Sequence, residues 1–175
     1  VSTARLVQAA DPLFTPVSSI GRFASCSAGD LRATFQAASD GLRLIQLTDY
    51  GTQTLLASGS APLFALVLRP PQSDADITVT SATGWRRVAF NNAPSGVEFI
   101  LQDPTNTALA GLAVKATVQT DTNRAAFEWT FKVENKSTTA LRRVIFPSLA
   151  LADLGDQGAV LFPRGPGEVQ RGVWR

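Results

Sequence analysis

Apolar and polar residues alternate along much of this chain, and a period of two turns successive side chains to opposite faces of a strand. Leu31, Ala33, Phe35 and Ala37 alternate with Arg32, Thr34 and Gln36 as far as Ser39-Asp40-Gly41. Leu42, Leu44 and Leu47 then lead to Asp49-Tyr50-Gly51, so residues 31–48 read as a β-hairpin turning at Gly41. Residues 63–69 form an apolar run too short for a helix, introduced by Pro62 and stopped by Pro70-Pro71, because proline cannot donate to a ladder. Residues 77–80, 85–90 and 97–101 are three more expected strands, separated by Gly84, by Asn91-Asn92-Ala93-Pro94 and by Asp103-Pro104.

The strongest pair follows. Leu112, Val114, Ala116 and Val118 make one apolar row, Asp121-Thr122-Asn123 turns the chain, and Ala125, Phe127, Trp129, Phe131 and Val133 make the next. Both are expected to be central strands. Their other faces carry Lys115, Thr117, Gln119, Glu128, Thr130 and Lys132, which predicts one solvated side and one side packed on a second sheet. Glu134-Asn135-Lys136-Ser137-Thr138 then turns into a strand over 141–146, which Pro147 ends at an expected sheet edge. Residues 148–163 leave room for one or two short strands. No segment keeps a helical period, so the expectation is an all-β, two-sheet antiparallel β-sandwich with little helix. Residues 30–175 are read as the sandwich domain, and residues 1–29 as an irregular N-terminal arm or edge strand.

Composition narrows the function. With 175 residues, 45% of them hydrophobic, the chain can bury a core as one domain. Its formal charge is only +2, and its 16 Lys and Arg are scattered singly or in pairs such as Arg86-Arg87, which argues against a nucleic-acid surface. No run approaches the ~20 apolar residues of a membrane-spanning helix, so a soluble chain without a membrane partner is expected. Val stands first and Met is absent, and the tail reaches Gly172-Val173-Trp174-Arg175 without a terminating signal, so the chain reads as a piece of a longer polypeptide.

The single cysteine, Cys26, has no partner for an intrachain disulfide or a zinc cluster and reads as a small buried hydrophobe. There is no histidine, so Cys-His and Ser-His nucleophilic chemistry have no base, and no Gly-x-Ser-x-Gly elbow or phosphate-cradling glycine pattern occurs. Asp74 with Asp76, and Asp153 with Asp156, read as solvated loop residues, since neither carries a calcium-loop pattern. Asn135-Lys136-Ser137 matches a glycosylation sequon but equally suits a hairpin turn. No catalytic residue, metal or cofactor is expected of this chain.

Two stretches carry a resemblance. The first runs from Leu31 and Phe35 through Gly41-Leu42-Arg43-Leu44-Ile45, Leu47 and Asp49 to Leu55-Leu56-Ala57-Ser58 and Pro62-Leu63-Phe64, Leu66 and Leu68-Arg69. The second comprises Trp129, Phe131, Val133, Asn135, Ser137, Leu141, Val144, Phe146-Pro147 and Leu149. Together, over residues 30–165, they resemble the N-terminal galactose-mutarotase-like β-sandwich, or supersandwich, that precedes the catalytic (β/α)8 barrel in several bacterial glycoside hydrolases. The resemblance implies an accessory domain of a hydrolase, packed on the catalytic domain of the same polypeptide and in contact with oligo- or polysaccharide. Mutarotase activity is not implied, because that chemistry in this fold uses histidines.

Sugar rings stack on exposed aromatic faces. Trp85 at a strand start, Tyr50 in a turn and Trp174 in the tail are therefore the carbohydrate-binding candidates, whereas Trp129 shares its row with Phe127 and Phe131 and is assigned to the core. Handling polymeric glycan favours an extracellular or cell-surface location. Two other readings stay open: a structural or adhesive sandwich without sugar affinity, and a self-contained sugar epimerase with acid and base groups converging in a pocket.

Overall fold

The alternating segments form strands in the computed structural model, which describes residues 22–59, 61–93, 95–152, 159–162 and 168–171. The first sheet is a meander of β1 (Arg22–Ala28), β2 (Leu31–Ala37), β3 (Leu42–Asp49) and β4 (Thr54–Ser58). Residues 22–28 form an edge strand, pairing with β2 from Arg22↔Ala37 to Ala28↔Leu31, and residues 1–21 of the expected N-terminal arm lie outside the described residues. After β5 (Ala65–Arg69) and β6 (Ile77–Thr80) comes a second meander, β7 (Trp85–Ala93), β8 (Gly96–Pro104), β9 (Leu112–Asp121) and β10 (Ala126–Asn135), in the order β10-β9-β8-β7. A single 3-10 turn, Thr107–Leu109, lies between β8 and β9. The strand β11 (Ala140–Ile145) returns to β5, giving a third sheet of order β11-β5-β6, and β12 (Ala159–Phe162) pairs with β13 (Glu168–Arg171). All these pairings are antiparallel. The fold is all-β and sandwich-like, as the periodicity predicts.

The meander sheets bury facing rows. From the first come Ala24, Cys26, Ala33, Phe35, Ala37, Leu42 and Leu44; from the second, Val88, Val97, Phe99, Leu101, Leu112, Val114, Ala116 and Val118. Phe35 reaches across the gap, its ring 4.8 Å from that of Phe99 and 6.1 Å from that of Trp129. Small residues beside large ones let the sheets approach: Ala24 stands opposite Phe35 in the first sheet, and Ala116 sits between Phe99 and Phe131 along the second. A bulge keeps β3 in phase. Thr34 pairs with Gln46 and Phe35 with Leu44, so Ile45 is the extra residue and both Leu44 and Leu47 can meet the core.

The third sheet joins this core through Leu63, Phe64, Leu66 and Leu68, all fully buried. Phe64 lies 6.1 Å from Trp85 and 5.1 Å from Phe131. Ser81, also fully buried, ties the parts together: its hydroxyl accepts from the Leu63 amide at 2.7 Å and donates to the Leu42 carbonyl at 2.8 Å. Its own carbonyl accepts from the Leu42 amide at 2.6 Å, and its amide donates to the Phe64 carbonyl at 3.0 Å. Glycine is required where backbones cross closely. A Cβ on Gly41 would lie 2.1 Å from the Ala82 carbonyl oxygen, and one on Gly96, at φ 142°, would lie 2.0 Å from that of Val118.

One expectation is corrected. The row Phe127, Trp129, Phe131 and Val133 lies on β10, which is the edge of its sheet and not a central strand. Its outer side chains are exposed and its inner ones half-buried, since the opposing layer covers the edge less fully than the middle.

Candidate functional site

The three aromatic candidates do not come together. Trp85 is 1% exposed; its indole nitrogen donates to the Thr80 carbonyl at 2.8 Å, and its ring meets Phe64 edge-on. It presents no face to a sugar. The reason is local: Trp85 pairs with Pro104 and Arg87 with Gln102, but the ladder passes over Arg86 and Asp103, and Asp103 takes φ 52°. Alternation breaks there, leaving Arg86 and Arg87 both exposed while Trp85 and Val88 are both buried. Trp174 lies outside the described residues.

Tyr50 is exposed, at 48%, in the turn that follows β3. That turn is well held. The Asp49 carboxylate accepts from the amides of Gly51 at 2.9 Å and Thr52 at 3.3 Å, the Gln53 side-chain amide donates to the Tyr50 carbonyl at 2.8 Å, and the Tyr50 amide donates to the Asp30 carbonyl at 2.9 Å. The Thr52 hydroxyl, with the Thr52 and Gly51 amides, holds the Asp49 carboxyl below the usual carboxylate range, so the turn keeps its cap at neutral pH. Phe23, exposed at 62%, belongs to the opposite end of β1 from Asp30 and adds nothing to a Tyr50 platform.

Five of the acids are engaged in ion pairs at or near the surface: Asp76 with Arg69 at 2.8 Å, Asp103 with Arg87 at 2.8 Å, Glu98 with Lys115, Asp121 with Arg124 at 3.6 Å and Glu134 with Lys136 at 2.8 Å. Arg69 lowers the pKa of Asp76, and Lys136 that of Glu134, mainly through hydrogen bonds. Both shifts run opposite to the direction a general acid needs. Among the described residues no three His, Cys, Asp or Glu side chains converge as a metal site. Asp153 and Asp156 lie outside them. The Asn135 side chain is committed to its turn, donating to the Thr139 carbonyl at 2.7 Å and accepting from the Ser137 amide at 3.1 Å and hydroxyl at 2.7 Å.

On the solvent face of the second meander, Ile100 and Ala113 floor a shallow depression rimmed by Glu98, Gln102, Lys115, Lys132 and Glu134. Its charges are two of each sign, and no aromatic ring lines it.

Cys26 faces the core at 7% exposure, and burial pushes its thiol up to about 11. At neutral pH it stays protonated and unreactive. A thiol-specific reagent at pH 8 is expected to label the native chain far more slowly than the urea-unfolded chain; equal rates would show that β1 opens readily.

The least ordinary surface lies along β10 and β11. Every residue of β11 is exposed, including Leu141 at 38%, Val144 at 43% and Ile145 at 43%. An edge strand in a sandwich normally buries one face. Just beyond β11, Phe146 stacks on Phe131 with centroids 4.5 Å apart and meets Trp129 edge-on at 6.0 Å, so the exposed strand adjoins the half-buried rings of β10. The residue pattern predicts a strand and a sheet edge here without marking the surface as unusual. The available signal is that Leu141, Val144, Ile145 and Phe146 do not alternate with polar residues. Comparison of the chain with protein-family models, curated proteins and solved structures finds no match in any of the three.

Proposed function

We propose that the chain is a non-catalytic β-sandwich module of a carbohydrate-active protein, a glycoside hydrolase, which packs on that protein's catalytic domain through β11 and meets glycan through Tyr50. The observation that carries the packing is the exposure of Leu141, Val144 and Ile145 on a strand with neither face covered. Clustered apolar side chains beside arginines suit an interdomain contact, where aliphatic groups are buried and Arg142 and Arg143 reach the rim. The carbohydrate assignment is supported by the resemblance of residues 30–165 to mutarotase-like sandwiches. The absence of histidine from the sequence favours an accessory role over an epimerase built in this fold.

Two measurements test the reading. In the full-length parent polypeptide, β11 amides are expected to exchange with deuterium at least ~10-fold more slowly than in this chain alone, as burial of an exposed strand requires. Equal exchange would remove the packing claim. Affinity electrophoresis through a panel of polysaccharides is expected to retard the chain and not its Tyr50→Ala variant; no retardation by any polysaccharide would remove the glycan claim.

A further inference from the structure

We propose that β10 is a self-association edge, pairing antiparallel with β10 of a second copy about a two-fold axis through Thr130. Among the described residues β10 pairs only with β9, and that ladder runs without a bulge from Ala126↔Asp121 to Asn135↔Leu112. The strand contains no proline. Most other edges are blunted or shorter: the β4 edge is covered by hydrogen bonds from Ser58 to Ala150 and from Ala152 to Leu56, β11 is bulged between Leu141 and Arg143, the β7 ladder breaks at Arg86, β6 has only four residues, and β1, though unbulged, has seven against the ten of β10. A long, flat, regular edge is an open template for another strand.

Charge chooses the occupant and the register. On the solvent face of β10, Lys132 stands directly opposite Lys115 of β9, an unfavourable like-charge placement, and Lys115 is already paired with Glu98. Neither Glu128 nor Lys132 forms a direct salt bridge among the described residues; Lys132 feels only the more distant attraction of Glu134 on the same face, whose own salt bridge is to Lys136. The two lie symmetrically about Thr130 and on the same face. An axis through Thr130 therefore sets Glu128 opposite the partner's Lys132 and Lys132 opposite the partner's Glu128, neutralising both. An axis through Glu128 or Lys132 would set that residue against itself. Axes through Trp129 or Phe131 would leave Lys132 opposite Ala126 or Thr130.

On the core face, the Thr130 register places Trp129 opposite the partner's Phe131, and Phe127 opposite the partner's Val133. Rings left half-buried at the edge thereby gain apolar neighbours, an arrangement that cross-strand aromatic pairs favour. A C2 contact of this kind closes on itself, giving a dimer and not a fibre.

The test uses the 175-residue chain, 18.6 kDa, in sedimentation velocity across a concentration series. Wild type is expected to reach twice the monomer mass. Glu128→Lys and Lys132→Glu, both on exposed positions of the strand, are each expected to sediment as monomers, and their dimer constants to weaken at least ~10-fold. The double variant E128K/K132E, and an equimolar mixture of the two single variants, are expected to dimerise again, since each restores opposite charges across the axis. A wild-type monomer at every concentration overturns the proposal. A dimer indifferent to the single reversals overturns it as well. Neither result bears on the proposed function, whose packing claim rests on β11 and whose glycan claim rests on Tyr50.

Discussion

Replacing Trp85 with alanine is expected to destabilise the chain by about 3–5 kcal/mol, the range for removing a buried aromatic from a packed core. The indole is 1% exposed, meets Phe64 edge-on and donates to the Thr80 carbonyl, so the change opens a cavity and orphans an acceptor together. Trp85→Phe keeps most of the ring contact and loses the hydrogen bond, and is expected to cost well under half as much. Urea unfolding followed by far-ultraviolet circular dichroism measures both. An alanine variant of wild-type stability would mean that the ring is not part of the core. The same substitution has a second use: any loss of polysaccharide retention in Trp85→Ala would reflect loss of fold, so Tyr50→Ala is the informative variant for glycan contact.

Ser81→Ala is expected to cost about 3 kcal/mol although it removes one atom, because each buried polar group left without a partner costs about 1–3 kcal/mol. The Leu63 amide loses its acceptor and the Leu42 carbonyl its donor, both in a fully buried setting. The midpoint of urea unfolding should fall while the slope stays constant, since the surface exposed on unfolding is unchanged. A shift below ~0.5 kcal/mol, ordinary for a surface substitution, would show that the three segments meeting at Ser81 are held by packing alone.

The strands themselves were legible because period-two alternation is a local property. Residues 31–48 form the expected hairpin, and β9 and β10 form the expected pair. What lay beyond sequence reading is non-local. Whether β10 is central or at an edge depends on sheet order, which no residue within Ala126–Asn135 reports. The fate of Trp85 turned on the broken ladder at Arg86 and Asp103, where a left-handed backbone at an aspartate resets the phase. Nothing in the sequence around Ser81 marks it, and only the meeting of Leu42, Leu63 and Phe64 gives it four hydrogen bonds. Tyr50 was placed correctly in a turn, but an exposed ring in a well-capped turn is a candidate and not yet a site.

The crossing at Gly41 bears on how the molecule moves. With the Ala82 carbonyl 2.1 Å from where a side chain would begin, and the Trp85 amide donating to the Asp40 carbonyl at 3.1 Å, the tip of the β2–β3 hairpin and the link between β6 and β7 are backbone against backbone. Two loops in such contact cannot sway separately, so thermal motion at this end is shared as that of one body. Even a methyl group there would act as a spacer, prising the hairpin tip from the link and passing the displacement to Trp85.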